Sequence, residues 1–451
     1  MFISLLSLMI FADRPVDPHS FANTQEVVHD HLDLKFKLDF EAKVIHGTAT
    51  LRLVYAKPTQ QLVLDTRDLI IDRVFEPVSG ENLSFELGPE QAYLGRALKI
   101  DLGGKQPQQV AISYHSQPQA AALQWLAPSQ TTSKKLPFLF TQSQAILART
   151  WIPCMDSPGV RVTFNASVDA PKGIRVIMGA KHTQEDMGKG HFEFAMPYSI
   201  PPYLIALAAG ELEFKAMSKR TGVYAEPAVV EKAAWEFADA EKMIEATESI
   251  YGPYDWERWD ILVLPPSFPF GGMENPMLTF ATPTVIAGDR SLVSLLAHEL
   301  AHSWSGNLVT NATWNDFWLN EGTTTYTEAR IMEVLLGPDF ANMHRALGQQ
   351  DLRETVQDMS KSPDDTHLFL NLKDRDPDDG MTDIAYEKGA NFLTVLEHHF
   401  GREKWDAFLK NYFRSNAFST ITTEAFLKQL KEGLFKDHPE DWQKLKVEDW
   451  V

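Results

Sequence analysis

A chain of 451 residues is too long for one compact core and, at about 100–200 residues per domain, holds two or three. Its hydrophobic fraction of 44% and charged fraction of 23% are those of a soluble globular protein, which excludes wholesale disorder and collagen-like repeats. With 42 Lys plus Arg against 61 Asp plus Glu, the net charge of −19 repels phosphate backbones and anionic membrane surfaces, so nucleic-acid and peripheral-membrane roles are not expected.

The run MFISLLSLMIFA at residues 1–12 is too short to span a bilayer and resembles a signal h-region without its basic n-region, ended by Asp13, Arg14 and Pro15. Two readings of residues 1–19 stay open, an N-terminal overhang and a degenerate signal. A single cysteine, Cys154, excludes a disulfide framework and a cysteine zinc ribbon but does not report the compartment. The expectation is cytoplasmic, or periplasmic or secreted if residues 1–12 are a signal remnant, with no integral membrane anchor.

From about residue 30 the apolar residues alternate. Leu32, Leu34, Phe36, Leu38 and Phe40 form one such series, Ala49, Leu51, Leu53 and Tyr55 a second, and Val160, Val162, Phe164, Ala166 and Val168 a third. A period of two puts one face of each strand on a core and one in water, the pattern of antiparallel sheets. Residues 20–212 therefore read as an all-β domain. After that the period lengthens. Glu226–Tyr251 reads as one long amphipathic helix, Ser291–Gly306 and Asn320–Gly337 as two more, and 391–447 offers others, including Glu424–Gly433. Trp259–Pro283, between the first two, is strand-like. The fold class is thus α+β and multidomain, with a second domain at 213–447.

The strongest chemical signal is His298-Glu299-Leu300-Ala301-His302. Two histidines four apart on a helix project from one face, so both imidazoles can grip one Zn²⁺ while Glu299 sits beside the open position as a general base. Leu292, Leu295, Leu296 and Leu300 form an apolar stripe consistent with a helix, and Gly306 is its expected stop. Alone, the motif is also compatible with an ordinary helix bearing half-exposed histidines. Catalytic zinc needs a third protein ligand, and Glu321, nineteen positions past His302 at the start of the next predicted helix, supplies it. Glu328, two turns further along the same face, could orient a ligating histidine or be a solvated surface glutamate.

His298–His302 with Glu321 resembles the gluzincin pattern of the M1 family of metallo-aminopeptidases. Gly271-Gly272-Met273-Glu274-Asn275, with its glutamate 24 positions before His298, resembles that family's exopeptidase signature. Pro265–Phe270 and Asn307-Leu308-Val309-Thr310-Asn311 point more narrowly to the leukotriene A4 hydrolase/aminopeptidase B branch. The resemblance implies saddle-like antiparallel sheets in the N-terminal domain and a thermolysin-like, mainly helical catalytic domain. It implies one Zn²⁺ per chain and the removal of N-terminal residues from peptides with a free N-terminus. Glu299 would drive water onto the first peptide bond, and Tyr386, in Ala385-Tyr386-Glu387-Lys388-Gly389, would stabilise the oxyanion. Without the family match, Tyr386 reads as a core tyrosine. Glu274 would hold the substrate's α-amine by a charge-assisted hydrogen bond, helped by Gln144. The backbone of Gly272 and Met273 would lie along the substrate as an edge strand. Asp378, near Gln142, aligns with an acidic residue lining the S1 pocket, which points to Arg or other basic residues at P1; an acidic surface loop is the alternative. No second subunit is expected.

Two positions depart from the branch. Met381 and Phe270 stand where tyrosines are usual, and the loss of both hydroxyls counts against lipid-epoxide chemistry more than against peptidase activity. The branch continues into a C-terminal all-α domain, which 448–451 would begin, so an apolar patch is expected on the helices of 391–447. The competing readings are a zinc endopeptidase, which Glu274 would obstruct, an epoxide hydrolase, and a peptide-binding protein with little turnover.

Overall fold

The computed structural model describes residues 15–451; the apolar run at 1–12 and the two readings attached to it lie outside them. The chain divides into two units, one closing at Phe214 and taking in Tyr224–Val230, the other made of Lys215–Val223 and Glu231–Val451.

The first unit is built of strands with short 3₁₀ turns. A seven-stranded sheet runs, in spatial order, Lys181–Asp186, His191–Ile200, Val162–Asp169, Val27–Asp39, Val44–Tyr55, Gln109–His115 and Ile70–Phe75. The alternation predicted from sequence is the one seen. Leu32, Leu34, Phe36 and Leu38 are buried, while Lys35 and Lys37 between them are exposed. One expectation is corrected: the sheet is mixed, because Val27–Asp39 pairs parallel with Val162–Asp169, from His31 opposite Thr163 to Lys37 opposite Asp169. Alternation reports which face is buried, not the direction of the neighbouring strand, and the long chain between these two allows the return crossing that a parallel pair needs. A four-stranded and a three-stranded sheet complete the unit.

A fully buried ion cluster locks this unit. Arg149 Nε donates to Asp156 at 3.0 Å and lies near Asp65, while its Nη atoms reach the carbonyls of Leu94, His19 and Asp156. Burial, offset by Arg149, leaves Asp156 raised to about 6 and Asp65 raised as well.

The second unit carries ten helices among the described residues: α1 Val230–Glu236, α2 Ala240–Tyr251, α3 Ser294–Ala301, α4 Trp318–Leu336, α5 Pro338–Asp358, α6 Gly389–Phe400, α7 Arg402–Ser415, α8 Thr423–Gly433, α9 Glu440–Lys444 and α10 Val447–Trp450. The single helix expected over Glu226–Tyr251 is two, α1 and α2. The break follows Glu236, whose buried carboxylate accepts from the backbone N–H groups of Gly288 and Arg290 at 2.8 and 2.7 Å. That tertiary anchor overrides the local periodicity. α3 also stops sooner than expected, at Ala301, and tight turns carry the chain to Gly306, which reverses it at φ 101°. Strand Trp259–Val263 lies parallel to Leu278–Ala281, and Gly272–Met273 closes that sheet's edge, opposite Ala281 and Phe280.

The apolar patch expected on 391–447 is not there. Phe392, Leu393, Leu396, Trp405, Leu409, Phe413, Phe426 and Leu430 are all buried, with Tyr251, Trp318, Tyr326 and Trp450 from outside the segment packing on them. The exposed large apolar side chains of the second unit's long helices are Val334 and Leu336 at the end of α4 and Met343, Leu347 and Val356 on α5.

Replacing Arg149 by Met should cost about 3–5 kcal/mol, because two buried carboxylates lose the guanidinium they share. The urea midpoint reads this, and the loss should shrink from pH 8 to pH 5. Both acids sit above their unfolded values, so they take up protons as the pH falls and their uncompensated charge disappears.

Candidate active site

The site is assembled from four segments of the second unit: the edge strand at Gly272–Met273 with Glu274 after it, α3, α4, and the turn before α6. α3 carries His298 and Glu299, and His302 follows its last residue with the helical hydrogen bond to His298 O retained at 3.3 Å. The two imidazoles stand with ring centres 4.9 Å apart and planes at 79°. α4 packs against α3 and brings Glu321 up in its first turn. Glu321 Oε2 lies 3.3 Å from His298 Nε2 and 3.4 Å from His302 Nε2. These contacts are too poorly aligned for hydrogen bonds, and the buried oxygen has no hydrogen-bond donor.

The second nitrogen of each ring decides what the first one offers. His298 Nδ1 faces Glu328 Oε2 at 3.1 Å. His302 Nδ1 faces Ser305 O and Thr324 Oγ1, each at 3.1 Å. A carboxylate and a carbonyl can only accept, so both rings are assigned their proton on Nδ1 and present a lone pair at Nε2. Two imidazole lone pairs and one carboxylate oxygen therefore converge, all within 4.8 Å of one another. A tetrahedral ion with ligand bonds of about 2.0–2.1 Å has edges of about 3.3–3.4 Å, so the measured separations fit zinc.

Three further groups surround this cluster. Glu299 is buried, with Oε2 lacking a hydrogen-bond partner, and burial raises its carboxyl to about 8 against the lowering pull of His298 and His302. A Cβ on Gly272 would lie 2.2 Å from Glu299 Oε1, so only glycine lets the edge strand pass this carboxylate. Glu274 is 4% exposed, is raised by burial, and offers an oxygen within 4.8 Å of ligand atoms of both Glu299 and His302. Its carbonyl accepts from Asn307 Nδ2 at 2.7 Å, which ties it to the loop leaving α3. Tyr386 stacks on His298, with centroids 6.2 Å apart and planes at 21°, and packs edge-on against Phe317. Burial, followed by the charges of Glu321, Glu274 and Glu299, pushes its phenol well above the usual value.

The structure thus brings together His298, Glu299, His302, Glu321, Glu274, Gly272, Met273, Tyr386 and Glu328. Asp378 lies on the exposed turn Pro377–Gly380 of the same unit, with its N–H donating to Asp376 Oδ1 at 3.1 Å. Gln142 and Gln144 belong to the first unit, on the loop after Phe138–Thr141, where Gln142 Nε2 donates to Gln144 O at 3.0 Å. Sequence reasoning missed Ser305, Thr324 and Asn307. Thr324 had a signal, since Glu321, Thr324 and Glu328 share one helical face; Asn307 opens the Asn307–Asn311 motif but nothing local pointed to Glu274, and Ser305, in a turn, had no signal.

The two halves of the chain match two family descriptions, Peptidase M1 N-terminal domain over residues 28–204 and Peptidase family M1 domain over residues 235–450. The chain belongs to peptidase family M1. It is 40% identical to leucine aminopeptidase 2 of Yarrowia lipolytica over 96% of this chain and 68% of that protein. It is also 40% identical to leukotriene A-4 hydrolase of Xenopus laevis, over 96% and 73%. Yeast LTA4 hydrolase, solved in complex with bestatin, superposes with a TM-score of 0.91 at 35% identity, over 98% of this chain and 72% of that one. This M1 chain is accordingly a metallo-aminopeptidase, a hydrolase of peptide bonds, and the family's metal is zinc.

Beside Tyr386, burial together with Glu328, Asp383 and Asp351 pushes Glu387 up to about 7. Its folded value lies above the unfolded 4.5, so the stability that goes with its proton is present at low pH and is lost as the pH rises through about 4.5–7. Glu387→Gln mimics the protonated acid. Its melting temperature should match the wild type at pH 5 and exceed it at pH 8.

Proposed function

We propose that this M1 enzyme removes single N-terminal residues from peptides with a free α-amine, with His298, His302 and Glu321 as the zinc ligands. The observation that supports this best is Glu274. A buried carboxylate beside Glu299 and His302 places an ammonium partner about one residue from the scissile bond, an arrangement an endopeptidase would not use. Zinc held there would acidify a water and polarise the first peptide carbonyl.

The chain's own groups do the rest. Glu299 takes the water's proton as the oxygen attacks and hands it to the leaving amine. Tyr386 Oη donates to the oxygen that gains charge. Gly272 and Met273 present free edge-strand backbone to the extended substrate. Glu274 binds the α-amine and so sets the register. Glu328 holds His298 in the tautomer that keeps Nε2 free. Asp378 favours Arg or another basic residue at P1, and the enzyme acts as a monomer.

Aminoacyl-p-nitroanilides of Arg and Ala, each beside its N-acetylated twin, test the reading when run as purified, with a zinc chelator, and with zinc restored. Chelator-sensitive cleavage of the free-amine substrates alone is expected, with Arg at least as good as Ala. Cleavage of the acetylated twins would remove Glu274 from its role, and zinc binding without turnover would favour a peptide-binding protein. Glu299→Gln should lower kcat by about 10²–10⁴-fold with zinc retained.

Glu328→Gln should weaken zinc by about 10–100-fold, measured by competition with a fluorescent chelator. An unchanged affinity would return Glu328 to the status of an ordinary helix-surface acid.

A further inference from the structure

Tyr386 does not sit on an α-helix. It lies on one π-helical turn, Ile384–Lys388, that runs directly into α6. Three buried glycines border that turn: Gly322 in α4, Gly348 in α5, and Gly389 at the start of α6. Glycine inside a helix is less stable than alanine by about 0.5–1 kcal/mol, so a glycine at an interior position needs another reason.

Contact distances supply the reason. A Cβ on Gly322 would stand 2.7 Å from Gly389 Cα and 2.8 Å from Ala385 O; one on Gly389 would stand 2.8 Å from Gly322 Cα. α4 and the start of α6 therefore touch backbone to backbone, one residue after Glu321 and three after Tyr386. On the α5 side, a Cβ on Gly348 would lie 2.0 Å from Glu387 Oε2, the neighbour of Tyr386. Each missing methyl removes an obstacle to the same turn, from two different helices.

We infer that Gly322, Gly348 and Gly389 are positioning residues that seat the Tyr386 turn and so set the placement of its hydroxyl relative to Glu321 and His298. The inference rests on Tyr386 as the oxyanion donor. Restoring ordinary contact at Gly389 needs the two backbones to part by more than half an ångström. Misplacement on that scale bears on the transition state, where the phenol must meet a new charge, more than on ground-state binding.

The test uses the full chain with zinc and compares Gly389→Ala and Gly348→Ala, each alone and combined with Tyr386→Phe. The readouts are kcat and KM on alanyl-p-nitroanilide, zinc equivalents, melting temperature, and the affinity of a phosphinic dipeptide that mimics the tetrahedral state. Gly389→Ala should lower kcat by about 10–100-fold with KM within about threefold and one zinc retained. Its affinity for the phosphinic mimic should fall in parallel. Gly348→Ala meets only the end of a flexible side chain, so it should fold at least as stably and lower kcat by about 3–10-fold. In the Tyr386→Phe background neither alanine should lower kcat more than about twofold further, since the group they act through is gone. Gly433→Ala, whose Cβ would meet Phe408 at 3.1 Å between α7 and α8, is the control and should leave kcat unchanged.

Unchanged kcat in both variants, losses that multiply in the Tyr386→Phe background, or activity lost in step with zinc would each overturn the inference. If Gly389→Ala does not fold, Gly348→Ala decides alone. A wild-type chain that binds zinc but cleaves no free-amine substrate would sink the parent reading and this one with it. Normal wild-type cleavage with unaffected glycine variants would sink only this one.

Discussion

Everything in the second unit answers to one electrostatic requirement. His298 Nε2, His302 Nε2 and Glu321 Oε2 are held within 3.3–3.4 Å across each imidazole–carboxylate pair, with the carboxylate oxygen buried and given no donor. A buried oxygen in that condition costs about 1–3 kcal/mol or more, and Glu274 and Glu299 add two further carboxyls within a few ångströms. A divalent cation offsets that concentration of negative charge and lone pairs at one point. Zinc is thus part of the physical logic of the site as well as of its chemistry.

The chain meets the requirement by fixing each ligand from behind. Ser305 O and Thr324 Oγ1 face His302 Nδ1, and Glu328 faces His298 Nδ1, so neither ring can turn its lone pair away. Ser305 Oγ donates to the carbonyls of Leu319 and Asn320, which binds the turn after α3 to the start of α4 and to Glu321 just beyond. Gly306, at φ 101°, lets that turn close against Asn320, whose Oδ1 would be 2.3 Å from any Cβ there. The precision of the three-ligand set is a property of these turn contacts more than of either helix.

A second set of close approaches surrounds the cluster. Gly272 lets the edge strand run against Glu299, and the carbonyl of Glu274 is pinned by Asn307 from the loop leaving α3. Glu274, Glu299 and α3 are therefore held together by direct contacts. On the opposite side the Tyr386 turn is seated against α4 and α5 where side chains are absent. Small residues at these points are what allow acidic and aromatic groups to crowd around the His298–His302–Glu321 cluster.

The sequence by itself determined the family and the residues of the candidate site. Two histidines four apart on a helix, a carboxylate on the next helix and the Gly-Gly-Met-Glu-Asn run were all legible, because their placement follows from local geometry that a helix or strand imposes. The alternation of Leu32–Leu38 likewise located the first unit's core. What escaped was whatever depends on a distant neighbour: the parallel partner of Val27–Asp39, the break after Glu236 made by Gly288 and Arg290, and the burial of the apolar faces of α6, α7 and α8. Only the tertiary structure decided that Ser305, Thr324 and Asn307 support the site, and that Gly322 and Gly389 touch. Local periodicity carries the identity of a side chain and the face it occupies. The partner that face will meet is set by long-range packing, where a single Cβ more or less changes what can come together.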